Sequence, residues 1–207
     1  MKKNNMEYKG LPLYQARITD EETGVYNISL VDMPATESDF IYFAEQKQPL
    51  KFAIENEDKH IVRGLVMGAD MPIYRVNPYG YEFYITYDAD TIRKMCKKYL
   101  KNGYQNNVDT MHNDVYVDGV YMVQSFIKDA ENGIDPKGFE SYKDGSWFAE
   151  FYVENPEIWS QIKDGTFKGF SLAGIFSIGE VEYRKQDEDK DYEECIELIN
   201  KIKNILK

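Results

Sequence analysis

The chain has 207 residues, and its 36 acidic residues outnumber 25 lysines and arginines, which gives a formal net charge of −11. This length is typical of one domain that can bury a core of its own. An acidic surface argues against nucleic acid or an anionic membrane as a partner, because both carry negative charge. No apolar run approaches the roughly 18 residues that a membrane-spanning helix needs.

The cysteines and the first residues bear on the compartment. Cys96 and Cys195 lie far apart without paired spacing, which is typical of small apolar residues in a reducing compartment. Residues 1–5 lack the apolar core of a secretory signal. We therefore expect a cytosolic protein.

Apolar stretches bounded by turn residues predict the strands of the first half of the chain. Residues 1–10 are polar and are expected to be loose. The predicted strands are residues 11–18, 24–31, 40–43 (a short edge strand), 60–67 and 81–87.

Two helices are predicted from their capping residues and apolar spacing. Asp88 begins the first, and Gly103 ends it. Pro156 stands at the first position of the second, with Gly165 past its end. The apolar stripe of the first helix is Ile92, Met95, Tyr99 and Leu100. Further strands are predicted at about residues 107–112, 119–128 and 146–153, and as one or two strands from the run around Ser171 to residue 183.

These elements predict a mostly antiparallel β domain with two or three helices, either an α+β fold or a β-barrel with helices outside it. The domain covers residues 1–185, and residues 186–207 form an acidic linker and a short amphipathic helix. The apolar stripe on that helix is narrow, so the helix either serves in docking and self-association or packs back onto the domain. The stripe consists of Ile196, Ile199, Ile202 and Leu206.

The most informative stretch surrounds Ser171. This serine follows the second predicted helix and lies between Gly169 and Gly174, at the start of an apolar run. Glycine permits close approach of the backbone to a substrate, so a serine there can be presented as a nucleophile. The alternative is a small residue in a glycine-rich turn between a helix and a strand.

A nucleophilic serine needs a general base, and the chain has only two histidines. His60 lies in an alternating strand, which is typical of a surface or core residue. His112 lies at the end of a predicted strand and just before a turn, where catalytic groups are commonly carried. If Ser171 and His112 meet, the chain is a serine protease or another acyl-transfer enzyme.

No cofactor is expected. The acidic run from Asp187 to Asp191 superficially resembles a calcium-binding loop. However, Tyr192 stands where that loop requires glycine, and Leu198 stands where it requires glutamate. No cysteine–histidine cluster suggests zinc, and no glycine-lysine loop suggests a bound phosphate.

Four stretches, spread over about residues 24–178, resemble the phage prohead proteases, relatives of the herpesvirus assemblin family. They are residues 27–35, 64–75, 112 with 120–129, and 159–171. The resemblance implies that Ser171 is the nucleophile and His112 its base, within a compact β-barrel surrounded by helices. It also implies cleavage of the scaffolding protein, the major capsid protein and the chain itself, inside the assembling procapsid in the host cytoplasm.

The chain departs from the family pattern at Gln124, where relatives tend to have glutamate, and at Ala173, within a stretch that often reads Ser-Ile-Glu-Gly. The stretch from Asn27 resembles one that other prohead proteases carry after the serine, which suggests a circularly permuted order. These departures keep open an alternative, a catalytically inactive capsid-assembly or scaffold-associated protein of the same fold. The third member of a triad also stays open among Asp118, Asp129, Glu150, Glu180 and Glu182.

Overall fold

A computed structural model describes residues 7–20, 22–33, 41–42, 59–77 and 79–180, with the backbone alone for residues 41–42 and 178–180. The acidic linker and amphipathic helix expected within residues 186–207 lie outside the described residues, as does Cys195.

The described chain contains twelve strands, two α-helices and one short 3₁₀-helix. In chain order they are β1 (Glu7–Tyr8), β2 (Leu11–Arg17), β3 (Gly24–Val31), β4 (Ile41–Tyr42), β5 (Ile61–Met67), β6 (Ile73–Val76), β7 (Glu82–Thr86), α1 (Ala89–Lys101), the 3₁₀-helix (Tyr104–Asn106), β8 (Val108–Thr110), β9 (Val120–Ile127), β10 (Trp147–Val153), α2 (Pro156–Lys163), β11 (Gly169–Ile175) and β12 (Ser177–Glu180).

Both helices begin and end as their capping residues predict. The side chain of Asp88 accepts a hydrogen bond of 2.7 Å from the N–H of Thr91 at the start of α1. Asn155 accepts from two N–H groups in the first turn of α2. Gly103 and Gly165, which follow the two helices, have φ of 74° and 81°, a backbone conformation that glycine adopts without strain.

The described strands form three sheets. One sheet has the order β1-β2-β7-β6 with β12 also paired to β2, and a second has the order β4-β5-β10-β9. The third has the order β11-β3-β8 and carries Ser171. Most pairs are antiparallel, but β2–β7 and β3–β8 are parallel. The α+β class is therefore confirmed, whereas a closed barrel is not seen among these three sheets.

Large apolar side chains from the second and third sheets and from α1 form the main core. Trp147, Phe151, Phe170 and Tyr99 are all fully buried there. The ring of Tyr99, on α1, meets that of Trp147, on β10, edge to face at a centroid distance of 5.6 Å. Strand β11 also packs against β5, so the strand that carries Ser171 is held on two sides.

Two local features differ from the sequence expectations. Strand β1 lies within residues expected to be loose, and β6 follows Pro72 in a segment for which no strand is predicted. Ser171 lies inside β11, within the run predicted to form one or two strands, and not in the glycine-rich turn of the alternative reading. In the part of the chain that the structure describes, no helix is long and apolar enough to span a membrane.

Gly145 offers a test of how tightly the loop before β10 packs on α1. Its φ is 89°, and a Cβ added there would lie 2.3 Å from the Cβ of Ala89. Gly133 has a similar φ of 79°, but a Cβ added there would meet nothing within 4 Å. Both substitutions to alanine cost about 1–2 kcal/mol for the left-handed backbone, and Gly145→Ala must also displace the start of α1. Urea denaturation should therefore show a larger loss of unfolding free energy for Gly145→Ala than for Gly133→Ala, and equal losses would contradict this packing.

Candidate active site

Ser171 is presented by a strand at the edge of its sheet. Ser171 is 8% exposed, and it lies directly opposite Ser29 in the antiparallel pairing of β11 with β3. Ser29 in turn lies opposite Asp109 in the parallel pairing of β3 with β8. Register partners on adjacent strands project their side chains to the same face, so these three polar residues form one row across the sheet.

His112 belongs to the turn that follows β8. The N–H of Met111 donates to the carbonyl of Leu30 at 3.0 Å, which continues the pairing with β3 beyond the end of β8. Met111 and His112 both have φ of 54°, and Asp114 has φ of 58°. Such values are uncommon outside glycine and cluster at functional sites. This turn brings an exposed imidazole back over the row of polar residues.

Both ring nitrogens of His112 are hydrogen-bonded to serines. Nε2 lies 2.8 Å from Oγ of Ser171, and Nδ1 lies 2.9 Å from Oγ of Ser29. The proximity of Ser171 and His112 expected from the sequence is thus present, at a distance typical of a hydroxyl and its general base. The imidazole joins two serines that belong to distant parts of the chain.

This arrangement permits removal of the Ser171 proton in one tautomer of His112. For Nε2 to accept the Ser171 hydroxyl proton, the neutral ring must carry its own proton on Nδ1. That Nδ1–H then donates to Oγ of Ser29, which fixes the orientation of the ring. Ser29 therefore occupies the position that an orienting group has in a triad, although it carries no charge.

A buried carboxyl group lies next to Ser29. Asp109 is fully buried, and its Oδ2 accepts the N–H of Asp114 at 3.0 Å, which helps to close the histidine turn. Its Oδ1 has no hydrogen-bond partner among the described residues. Adjacent strands are about 4.8 Å apart, so Asp109 stands one strand away from Ser29 on the same face.

Three of the five acidic residues considered from the sequence, Asp118, Asp129 and Glu150, do not take the third position. Glu150 forms an ion pair with Arg63, and the carboxylate of Asp129 accepts from Asn132. For Asp118, the structure gives a hydrogen bond from Asn155 to its backbone carbonyl. None of them bonds to His112, whose two nitrogens are both occupied by serines.

The side chain of Glu180 and the whole of Glu182, the remaining acidic candidates, lie outside the described residues. Ser29 belongs to the stretch from Asn27 that carries part of the family resemblance, but it is not acidic and is therefore not among the candidates for a third member predicted from the sequence. The feature that singles out Ser29 is that it is a polar residue at a fully buried position of β3.

His60 has a different environment from His112. It lies just before β5, where its Nδ1 bonds to the carbonyl oxygen of Val153 at 2.8 Å. Its ring stacks on that of Trp159 with centroids 4.6 Å apart. These contacts tie the start of β5 to β10 and α2, which is a structural role. Across the described residues, no group of three or more His, Cys, Asp or Glu side chains is arranged to hold a metal ion.

Comparisons with known proteins place the chain in a family. Residues 50–180, more than half of the chain, match the family described as "Putative phage serine protease XkdF". The chain is also 28% identical over 187 residues to the "Uncharacterized protein YqbD" of Bacillus subtilis strain 168, an alignment that covers 87% of this chain and 52% of that protein. The chain thus spans about half the length of this curated relative. No solved structure gave a significant match.

The role of Ser29 can be measured with a fluorophosphonate probe, which forms a bond from phosphorus to a nucleophilic serine oxygen and releases fluoride. Ser29→Ala removes the partner of Nδ1 and leaves Ser171 and His112 in place. We expect the limiting rate of labelling to fall by up to about 100-fold, since misorientation of a general base acts on the chemical step. The concentration of probe that gives half of that rate should stay within about twofold.

Ser125→Ala is the matched control for Ser29→Ala. Ser125 is also a hydrogen-bonded serine in a strand, since its Oγ accepts from Nε1 of Trp147 at 2.9 Å, but it belongs to β9. It should lower stability without changing the labelling rate. A Ser29→Ala protein that reacts as fast as Ser125→Ala would remove Ser29 from the site.

The two histidines can be separated with the same probe. His112→Ala should reduce labelling of Ser171 by several orders of magnitude, because the hydroxyl loses its base. His60→Ala should retain labelling within a few-fold and lower the melting temperature, because it loses the contacts with Val153 and Trp159. Intact-mass spectrometry gives the labelled fraction in each protein. Slow labelling after His60→Ala together with fast labelling after His112→Ala would reverse the assignment.

Proposed function

We propose that this chain, which belongs to the phage serine protease XkdF family, is an active serine endopeptidase with Ser171 as nucleophile and His112 as general base. The observation that supports the proposal most directly is the 2.8 Å contact between His112 Nε2 and Ser171 Oγ. Each residue is placed by a different strand of the same small sheet, so the contact depends on the fold rather than on sequence proximity.

The proposed reaction proceeds by acyl transfer. His112 Nε2 takes the hydroxyl proton as Ser171 Oγ attacks the carbonyl carbon of a peptide bond. The protonated imidazole then donates that proton to the leaving amine nitrogen, and the C–N bond breaks to give an acyl-enzyme. Water, deprotonated by His112, attacks the ester carbonyl, and the proton returns to Ser171 as the acid product leaves.

The tetrahedral intermediate needs hydrogen-bond donors for its oxyanion. Strand β11 is paired within its sheet on one side, by β3, so alternate N–H groups of this strand face away from β3. We assign the oxyanion donors to backbone N–H groups between Gly169 and Gly174. Donors fixed by a strand need little reorganisation as charge develops, which is the main advantage of such a site.

Ser29 and Asp109 act as positioning residues in this scheme. A serine can donate to or accept from Nδ1, so Ser29 alone does not select the tautomer in which Nε2 is free to accept. A carboxylate at Asp109, one strand away, favours a Ser29 hydroxyl whose proton points toward it. Ser29 Oγ then accepts from Nδ1–H, which leaves Nε2 as the base.

The biological setting of the proposal comes from the resemblance to prohead proteases. We propose that the substrates are the scaffolding protein, the major capsid protein and the chain itself, cleaved within the assembling procapsid in the host cell. We also propose that the amphipathic segment within residues 186–207 serves in self-association, and that the three sheets belong to an assemblin-like barrel. The four stretches of resemblance are the basis for this setting, and the family match supports the phage protease role alone.

Ser171→Ala is expected to fold normally and to abolish cleavage of the scaffold and of the chain itself. Loss of a nucleophile typically costs several orders of magnitude in rate, because no other group can form the acyl-enzyme. The measurement is co-expression with the proposed scaffolding and capsid substrates, followed by mass spectrometry of the protein termini. Ser141→Ala, which changes an exposed serine outside the site, is the matched control and should leave all cleavages in place.

Unchanged processing by Ser171→Ala would refute the assignment of the nucleophile. If the unmodified chain produces no new termini and does not react with the fluorophosphonate probe, the result would favour the alternative function, an inactive assembly protein of the same fold.

A further inference from the structure

Ser171 forms part of the wall of a cavity of about 300 Å³. The cavity lies between β11, which carries the serine, and residues of β5, β6 and β7. Its walls are largely apolar and aromatic; they include Ile73, Phe83, Ile85, Phe170, Leu172 and Phe176. A cavity of this kind with few polar groups is typical of a binding site for one side chain or a small ligand.

Arg75, on β6, is the one charged side chain among the residues that line this cavity. It is half-buried, and the structure gives its guanidinium a hydrogen bond to the carbonyl oxygen of Tyr74 at 2.9 Å. No carboxylate pairs with it among the described residues. Burial lowers the pKa of Arg75 below its usual value, and the neighbouring Tyr87 opposes that shift. Among the described residues, this half-buried positive charge therefore has no carboxylate as counterion.

Such a charge is costly in the free protein and favours one class of occupant. A half-buried cation that no carboxylate pairs with is unfavourable because part of its hydration is lost, and a carboxylate restores both the charge balance and the hydrogen bonds. A basic side chain would be repelled, and an apolar one would fill the cavity without pairing the guanidinium. The overall charge of −11 makes this local positive site more distinctive, since most of the surface repels acidic peptides.

We infer that this cavity is the specificity pocket for an acidic side chain, glutamate or aspartate, on the residue whose carbonyl Ser171 attacks. The inference rests on the proposed function, because the scissile bond is placed by Ser171 as nucleophile. Binding of an acidic side chain in the cavity does not itself require catalysis. Because Ser171 is among the lining residues, we place the attacked carbonyl at the rim of the cavity, with the side chain next to that carbonyl extending between the apolar walls. Its carboxylate pairs with Arg75.

Binding to the Ser171→Ala protein tests the pocket without requiring catalysis. Four peptides that differ only in the last residue, which is glutamate, glutamine, leucine or lysine, are titrated by calorimetry or NMR. We expect the glutamate peptide to bind about tenfold more tightly than the glutamine peptide, and the lysine peptide to bind most weakly. Adding Arg75→Met should remove the preference for glutamate, and Arg75→Lys should retain part of it.

Arg93→Met is the matched control, because Arg93 is an exposed arginine on α1. It should preserve the preference for glutamate. A thermal melt of each variant establishes that it folds, and Arg75→Lys still tests the role of the charge if Arg75→Met does not fold. Equal binding of the glutamate and glutamine peptides, or a preference that survives Arg75→Met, would overturn the inference.

Cleavage of the matching internal peptides by the unmodified chain separates this inference from the proposed function. Selective cleavage after glutamate that Arg75→Met abolishes supports both. Selective binding without cleavage or probe labelling retains the pocket and refutes the proposed function. Cleavage of all four peptides at similar rates retains the proposed function and refutes the acidic pocket.

Discussion

The two hydrogen bonds of His112 are the interaction on which the candidate site depends. They join three residues: Ser29 from β3, His112 from the turn that follows β8, and Ser171 from β11. The register of β11 with β3 places the two serines opposite each other, independently of the histidine. A shift of one residue in the pairing of β11 with β3 would turn one serine to the other face, and a shift in the pairing of β3 with β8 would displace the histidine turn. The chemistry is thus fixed by backbone pairing more than by side-chain packing.

The same strand connects the reactive group with the cavity. Gly174 belongs to β11 and lines the cavity, and a Cβ added there would lie 2.6 Å from the carbonyl oxygen of Gly24. A register shift between Ala173 and Gly174 marks an irregularity in the pairing at this point. Glycine therefore permits the close approach of β11 to β3 where the strand turns from the row of serines toward the apolar wall. One short strand thus contributes to nucleophile, oxyanion and pocket in the proposed mechanism.

The sequence predicts those features whose causes are local. Asp88 and Asn155 cap helices through contacts within one turn, so the helix boundaries could be predicted from neighbouring residues. The contact of Ser29 with His112 could not be predicted in this way, because it depends on the parallel pairing of β3 with β8 and on a turn with unusual φ values. Likewise, β6 is short and follows a proline, and its pairing with β7 rather than its composition makes it a strand. The closed barrel and the role of residues 186–207 stay predictions.

The positions of the three site residues along the chain have a consequence for synthesis. Of the three, Ser29 is made first, His112 next and Ser171 last. Strand β3 cannot pair with β11, its antiparallel partner, until the residues between them have left the ribosome. A nascent or prematurely terminated polypeptide that lacks β11 has neither nucleophile nor completed sheet. Under the proposed function, a molecule whose synthesis has not yet reached β11 is therefore incapable of proteolysis.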